Sequence, residues 1–171
     1  MGEDVNQPEQ HEASTGVNIA IQRLTPEDAA EYLRLVHANR EFLEADHIYV
    51  PEELDDVVFK FDWPTPEGRL DYGIMVNRQL IGEIDLIPQG TQRAEITYWI
   101  DQHHRGHGYA ALAVERLAEY AFGQLRLLSL RAWVRHDNIA SQRTLLRAGF
   151  IQTDSSPATG TYGYTLSRPA A

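Results

Sequence analysis

From residue 18 to Leu24 the chain alternates apolar and polar positions around Ile19 and Ile21, the period of a half-buried strand. Thr25-Pro26-Glu27-Asp28 then offers a capping hydroxyl, a proline at the first helical position and acidic side chains near the positive end of a helix dipole. A helix is predicted from there to about Ala38, a short second one over Arg40 to Ala45, and a third from Pro51-Glu52-Glu53 to near Trp63-Pro64. The pattern then changes to strands over Tyr72 to Val76, Leu80 to Ile87 and Ala94 to Ile100. Turns at Asn77-Arg78 and around Gln89-Gly90 make them an antiparallel meander. Ala110, Leu112, Ala113, Leu117, Ala118 and Ala121 fall at helical spacing within Tyr109 to Phe122, with Gly123 as the expected stop. A buried strand over Leu127 to Val134, a helix over Ile139 to Arg147 stopped by Gly149, and strands over Phe150 to Thr153 and Tyr162 to Leu166 complete the chain. This mixed order predicts an α/β (α+β mixed) sheet with helices on both faces.

With 171 residues the chain is long enough for one core, and one domain over 17–171 is expected. Residues 1–16 are polar and acidic and are read as a flexible tail without the basic start and apolar stretch of a secretory signal, so a cytoplasmic location is expected. No apolar run approaches the roughly 20 residues that span a bilayer, so no membrane partner is expected. The absence of cysteine excludes a disulfide framework, a thiolate metal site and a cysteine nucleophile. A net charge of −10 argues against a nucleic-acid partner and favours a cationic small molecule or basic peptide, although it also serves solubility alone.

Candidate chemistry concentrates in Arg105-Gly106-His107-Gly108-Tyr109-Ala110, where a strand ends and a helix begins. Two glycines let the backbone turn sharply and approach a ligand, and the following helix presents unpaired N–H groups to an anion, with Arg105 able to add a charged contact. Many strand-to-helix turns carry two glycines, so the loop takes its meaning from its context. His103, His104 and His107 lack the helical spacing and glutamate of a zinc hydrolase, and no metal is expected. Trp63 and Trp99 are read as core.

The loop fits R-x-x-G-x-A. After the next helix and strand come Asn138-Ile139-Ala140-Ser141-Gln142-Arg143, Leu146 and Gly149-Phe150, an N-x-x-S-x-R then G-F ending. Upstream, Ala94-Glu95-Ile96-Thr97-Tyr98-Trp99-Ile100 carries a tyrosine-tryptophan pair. Together these segments resemble the RimJ/RimL-like branch of the GNAT N-acetyltransferase superfamily over about residues 18–167.

The resemblance implies a GNAT fold, a central, mostly antiparallel seven-stranded sheet splayed between strands 4 and 5. It implies acetyl-CoA as cosubstrate, with its pantetheine arm on the backbone of Ile100, Asp101 and Gln102, and its pyrophosphate on the N–H groups of Arg105, Gly106, His107, Gly108, Tyr109 and Ala110. Asn138, Ser141 and Arg143 are placed beside the same ligand, Asn138 also being a good helix N-cap.

Acetyl transfer to an amine needs a neutral amine, a stabilised oxyanion and a proton for the departing thiolate. The resemblance puts Glu95 on the strand that carries the general base in several GNAT enzymes, and Ser141 where a hydroxyl meets the thioester sulfur. Glu83 and Asp85 share a strand face by the two-residue period and are the substitute bases or the anchors of a cationic acceptor. Glu41, with Glu44 and Asp46, would suit the same acceptor, and the polar loop 153–163 would cover its pocket. Without cysteine the expected mechanism is direct attack in a ternary complex. A protein or peptide α-amino group is the expected acceptor, against a polyamine, an aminoglycoside or a peptide antibiotic. A non-catalytic acyl-CoA-binding module is the competing class, and both a monomer and a homodimer are open. A doubly wound nucleotide-binding domain is disfavoured, because it needs parallel strands where 72–100 reads as hairpins.

Overall fold

The computed structural model describes residues 17–62 and 68–170; the expected tail over 1–16 and the reading of Trp63 lie outside them. β1 (Ile19–Arg23) leads into a tight 3-10 turn at Pro26–Asp28 and then α1 (Ala29–Ala38). The start is fixed by Asp28, whose carboxylate accepts from both the Thr25 amide at 2.9 Å and the Thr25 hydroxyl at 3.0 Å. After α2 (Arg40–Ala45), α3 (Leu54–Asp62) opens later than expected, because Asp56 accepts from the Glu53 amide at 3.1 Å and holds Glu53 outside the helix.

The meander follows as β2 (Leu70–Val76), β3 (Gln79–Pro88) and β4 (Arg93–Ile100), then α4 (Tyr109–Gly123), β5 (Ser129–Arg135), α5 (Ile139–Arg147), β6 (Ile151–Ser156) and β7 (Thr161–Ser167). Gly123 is the last residue of α4. A left-handed residue follows at Arg126, φ 58°, where buried Leu127 donates back to the Ala121 carbonyl, and β5 starts two residues later than expected.

Seven strands form one sheet in the order β1-β2-β3-β4-β5-β7-β6, antiparallel except for β4 beside β5. Its two faces bury different layers. One packs Ala113, Val114, Leu117 and Ala121 of α4 against the sheet, and these mostly small side chains let the helix lie close to it. The other carries Leu80 and Trp99 against Tyr32, Val36, Leu43 and Val57 of α1 to α3. At Gly82 an added Cβ would stand 2.2 Å from the Trp99 carbonyl, so only glycine allows β3 to approach the end of β4 so closely.

Candidate active site

The parallel pairing of β4 with β5 covers Arg93, Ala94 and Glu95 against Ser129, Leu130 and Arg131 and then stops. β4 continues along β3 to Ile100 and β5 along β7 to Arg135, so the sheet splits between them. A cleft of about 720 Å³ opens at the split. The Asp101 amide donates to Ile81 of β3 at 2.8 Å, and strand alternation therefore turns the backbone of Tyr98 and Ile100 toward the gap. Of the three residues expected to offer their backbone there, Ile100 turns its backbone to the gap, its carbonyl already accepting from Arg105 at 3.1 Å. Asp101 faces β3, and the Gln102 amide is held by Asn39 at 2.9 Å.

Gly106, Gly108, Tyr109 and Ala110 line the cleft where α4 begins. Both glycines have φ of +80°, the left-handed region, and Gly108 caps α4 with no side-chain hydrogen bond to the helix's first N–H groups. Arg105 braces this corner. Its Nε donates to the Ile100 carbonyl at 3.1 Å and its guanidinium lies 3.7 Å from the centre of the Phe42 ring. Above the loop stand Arg143 and Arg147, one turn apart on α5, the second 3.3 Å from where a Gly108 Cβ would be. Among the described residues neither has a carboxylate partner, so two cations face the positive end of a helix, an arrangement that an anion would relieve. Sequence reasoning missed Arg147, although its i+4 spacing from Arg143 signalled a shared face. His104, also in the cleft wall, is held through Nδ1 by Asp101 at 2.7 Å, while His107 stacks on Tyr109 outside the wall.

Ser141 and Asn138 both reach the cleft. Asn138 caps α5 by accepting from the Ser141 amide at 3.0 Å, and the Ser141 hydroxyl lies 2.8 Å from that of Tyr98. Tyr98, not singled out from sequence as a site residue, joins β4 to α5 across the gap, and burial pushes its hydroxyl up to about 12. Of the predicted carboxylates, Asp46 reaches the cleft wall, while Glu95, Glu41, Glu44, Glu83 and Asp85 do not. Glu95 sits where β4 and β5 are still paired, opposite Arg131, and burial raises its pKa. Glu41 lies exposed on α2, away from the wall.

Glu83 and Asp85 are sealed beneath α1 and α3. Tyr32 donates to Glu83 at 2.7 Å and Trp99 at 3.2 Å, Lys60 pairs with Glu83 and with Asp71, and Arg69 pairs with Asp71 and with Asp85. The carboxylates Asp71, Glu83 and Asp85 lie close enough to share a metal, but Lys60 and Arg69 already stand among them. The acidic residues that do line the cleft are Asp46 and Asp137, and both are ion-paired with Arg135.

The family description that matches this chain is the acetyltransferase (GNAT) domain, over residues 18–151. The chain belongs to the GNAT acetyltransferase family. Over 147 residues it is 32% identical to the probable N-acetyltransferase YjcK of Bacillus subtilis (strain 168), covering 79% of this chain and 81% of YjcK. Its fold is similar to that of RimL, the ribosomal L7/L12 α-N-protein acetyltransferase solved with coenzyme A, with a TM-score of 0.75, 16% identity, and coverage of 93% and 98%. It is likewise similar to spermidine N-acetyltransferase from Vibrio cholerae, solved with CoA and spermine, with a TM-score of 0.72, 18% identity, and coverage of 87% and 95%. The split sheet and glycine loop are thus the features of a GNAT N-acetyltransferase. Among the described residues, no helix is long and apolar enough to cross a membrane.

Proposed function

We propose that this N-acetyltransferase moves an acetyl group from acetyl-CoA to the α-amino group of a protein or peptide, by direct attack within a ternary complex. The observation that carries the choice of acceptor is the pairing of Asp46 and Asp137 with Arg135, which leaves the cleft no unpaired carboxylate among the described residues. An α-amine with a pKa of about 8 is roughly a tenth neutral at pH 7, whereas a lysine-like amine near 10.4 is neutral in less than about one part in a thousand. The first can lose its proton to water. The second needs a stronger base, and among the described residues the cleft offers no unpaired carboxylate for it.

The chain's own groups suit the remaining tasks. N–H groups at Gly106 to Ala110, with Arg143 and Arg147, suit a pyrophosphate, and the Tyr98 and Ile100 backbone suits the pantetheine arm as an added strand. The Ser141 and Tyr98 hydroxyls lie 2.8 Å apart with either able to donate, and in the arrangement where Tyr98 donates the Ser141 proton is free to meet the departing sulfur. With no cysteine to carry the acyl group, no covalent detour through a protein thiol exists.

The test is CoA release from acetyl-CoA, followed with a thiol reagent, against N-terminal peptides, polyamines, aminoglycosides and peptide antibiotics; the cysteine-free chain gives no background. Turnover with the peptides is expected. Replacing Ser141 by alanine should lower kcat by about 10- to 100-fold with little change in the KM for acetyl-CoA. Turnover with polyamines alone would move the assignment to a small-molecule enzyme, and acetyl-CoA binding without any turnover would make the protein a binding module.

A further inference from the structure

Among the described residues, two side-chain bridges reach across the split between β4 and β5, each to a helix on the far side. Tyr98 to Ser141 spans it on the α4/α5 face. On the other face the bridge is Arg135, the last residue of β5. Its direction follows from alternation: Leu130, Ala132 and Val134 enter the core shared with α4, and Arg131, Trp133 and Arg135 point the opposite way. The Arg135 fork reaches back across the split to the end of α2. Nη1 donates to the Ala45 carbonyl at 3.2 Å, Nη2 pairs with Asp46 at 3.0 Å, and Nε pairs with Asp137 at 3.0 Å.

All three charged side chains line the cleft. The groups proposed to hold the cofactor's phosphates lie on the α4/α5 side of the cleft, which leaves the acceptor the side that carries this bridge. Two carboxylates released from the guanidinium would form an ammonium trap at that entrance; held by it, they carry a single net charge with one oxygen of each occupied.

We propose that Arg135 is a specificity-determining residue of the acceptor side: by holding Asp46 and Asp137 it keeps the entrance from capturing polycationic amines and leaves it to an amine that arrives neutral. The proposal rests on the assignment of the cleft as the acetyltransferase site and concerns only the selection of the acceptor. Tyr98, Ser141 and the glycine loop keep their roles whether or not it holds.

The test is calorimetric titration of spermidine into the full chain, beside thermal melts that confirm folding. Arg135→Gln should bind spermidine at least about tenfold more tightly than the wild type, because two carboxylates lose their internal cation. Adding Asp46→Asn and Asp137→Asn to Arg135→Gln should return the affinity to the weak wild-type value. Arg135→Lys, whose single ammonium cannot hold all three partners, should give a smaller gain of about threefold, and it carries the test alone if the glutamine variant does not fold. Unchanged spermidine affinity in the folded variant, or a gain that survives removal of both carboxylates, would overturn the proposal. Failure of acetyl transfer itself would appear separately, as absent CoA release, and leaves this binding comparison readable.

Discussion

Gly108→Val is expected to weaken acetyl-CoA binding by about a hundredfold or more, the scale of one or two charge-assisted hydrogen bonds lost. At φ +80° any L side chain is strained, by about 1–2 kcal/mol, and a β-branched one more so. The new Cβ would also meet the Arg147 guanidinium at 3.3 Å and push it from its place over the start of α4. Gly106→Ala is the matched control. Its φ is also +80°, but nothing lies within 4 Å of an added Cβ, so only the backbone strain remains. Calorimetric titration with acetyl-CoA should separate the two variants clearly. Wild-type affinity in Gly108→Val would remove the loop from the phosphate site.

Lys60→Met is expected to cost about 2–4 kcal/mol of stability, near the lower end for breaking a buried pair because Lys60 is itself a quarter exposed. For a domain of this length that is a fall in Tm of about 5–15 °C. The loss would leave Glu83, Asp71 and Asp85 with Arg69 as their remaining cation among the described residues. The two sealed carboxylates of β3 respond to pH with opposite signs. Burial alone would raise the Glu83 pKa, but the charge of Lys60 and the hydrogen bonds from Lys60 and Tyr32 outweigh it and hold the carboxyl below its ordinary value. The stability it contributes is present above the unfolded carboxylate pKa and is lost as pH falls through the lower folded one.

For Asp85, burial and then the neighbouring Glu83 charge raise the pKa well above the ordinary value, and its Oδ1 has no hydrogen-bond partner. Its contribution is therefore fully present below the unfolded pKa and is lost as pH rises through the raised folded one. Asp85→Asn should accordingly match or exceed the wild-type Tm at pH 8 and lose less stability as pH rises. Melts across pH for both variants check this. A Lys60→Met protein as stable as the wild type would mean that the cluster does not depend on its cation.

The parts of the fold legible in the sequence are those that a local pattern decides. The period of two placed the strands, and the six apolar positions of α4 marked a helix face that is indeed buried at Ala113, Leu117, Ala118 and Ala121. The glycine loop was legible because Gly106 and Gly108 punctuate a strand-to-helix turn. Features created by long-range contact were not. The common face of Glu83 and Asp85 follows from strand alternation, but β3 is buried on both faces, and alternation cannot reveal that Lys60 and Arg69 arrive over one of them. Glu95 was correctly placed on a strand, but whether it meets the gap depends on where β4 and β5 stop pairing, which no local pattern encodes. Arg135 with Asp46, and Tyr98 with Ser141, join residues far apart in the chain that only the split sheet brings together.

Acetyl transfer to a weakly basic amine is proposed for a cleft in which, among the described residues, every lining carboxylate is ion-paired. Its most direct test is a pair of matched peptides at pH 7, one with a free α-amine and no lysine, the other with a blocked N-terminus and one lysine. The predicted result is a kcat/KM for the free α-amine at least about tenfold above that for the lysine peptide, the part of a more than about hundredfold difference in neutral fraction that the greater nucleophilicity of the lysine amine does not offset. Equal rates, or a preference for lysine, would contradict it and require a base in the cleft that deprotonates an ammonium.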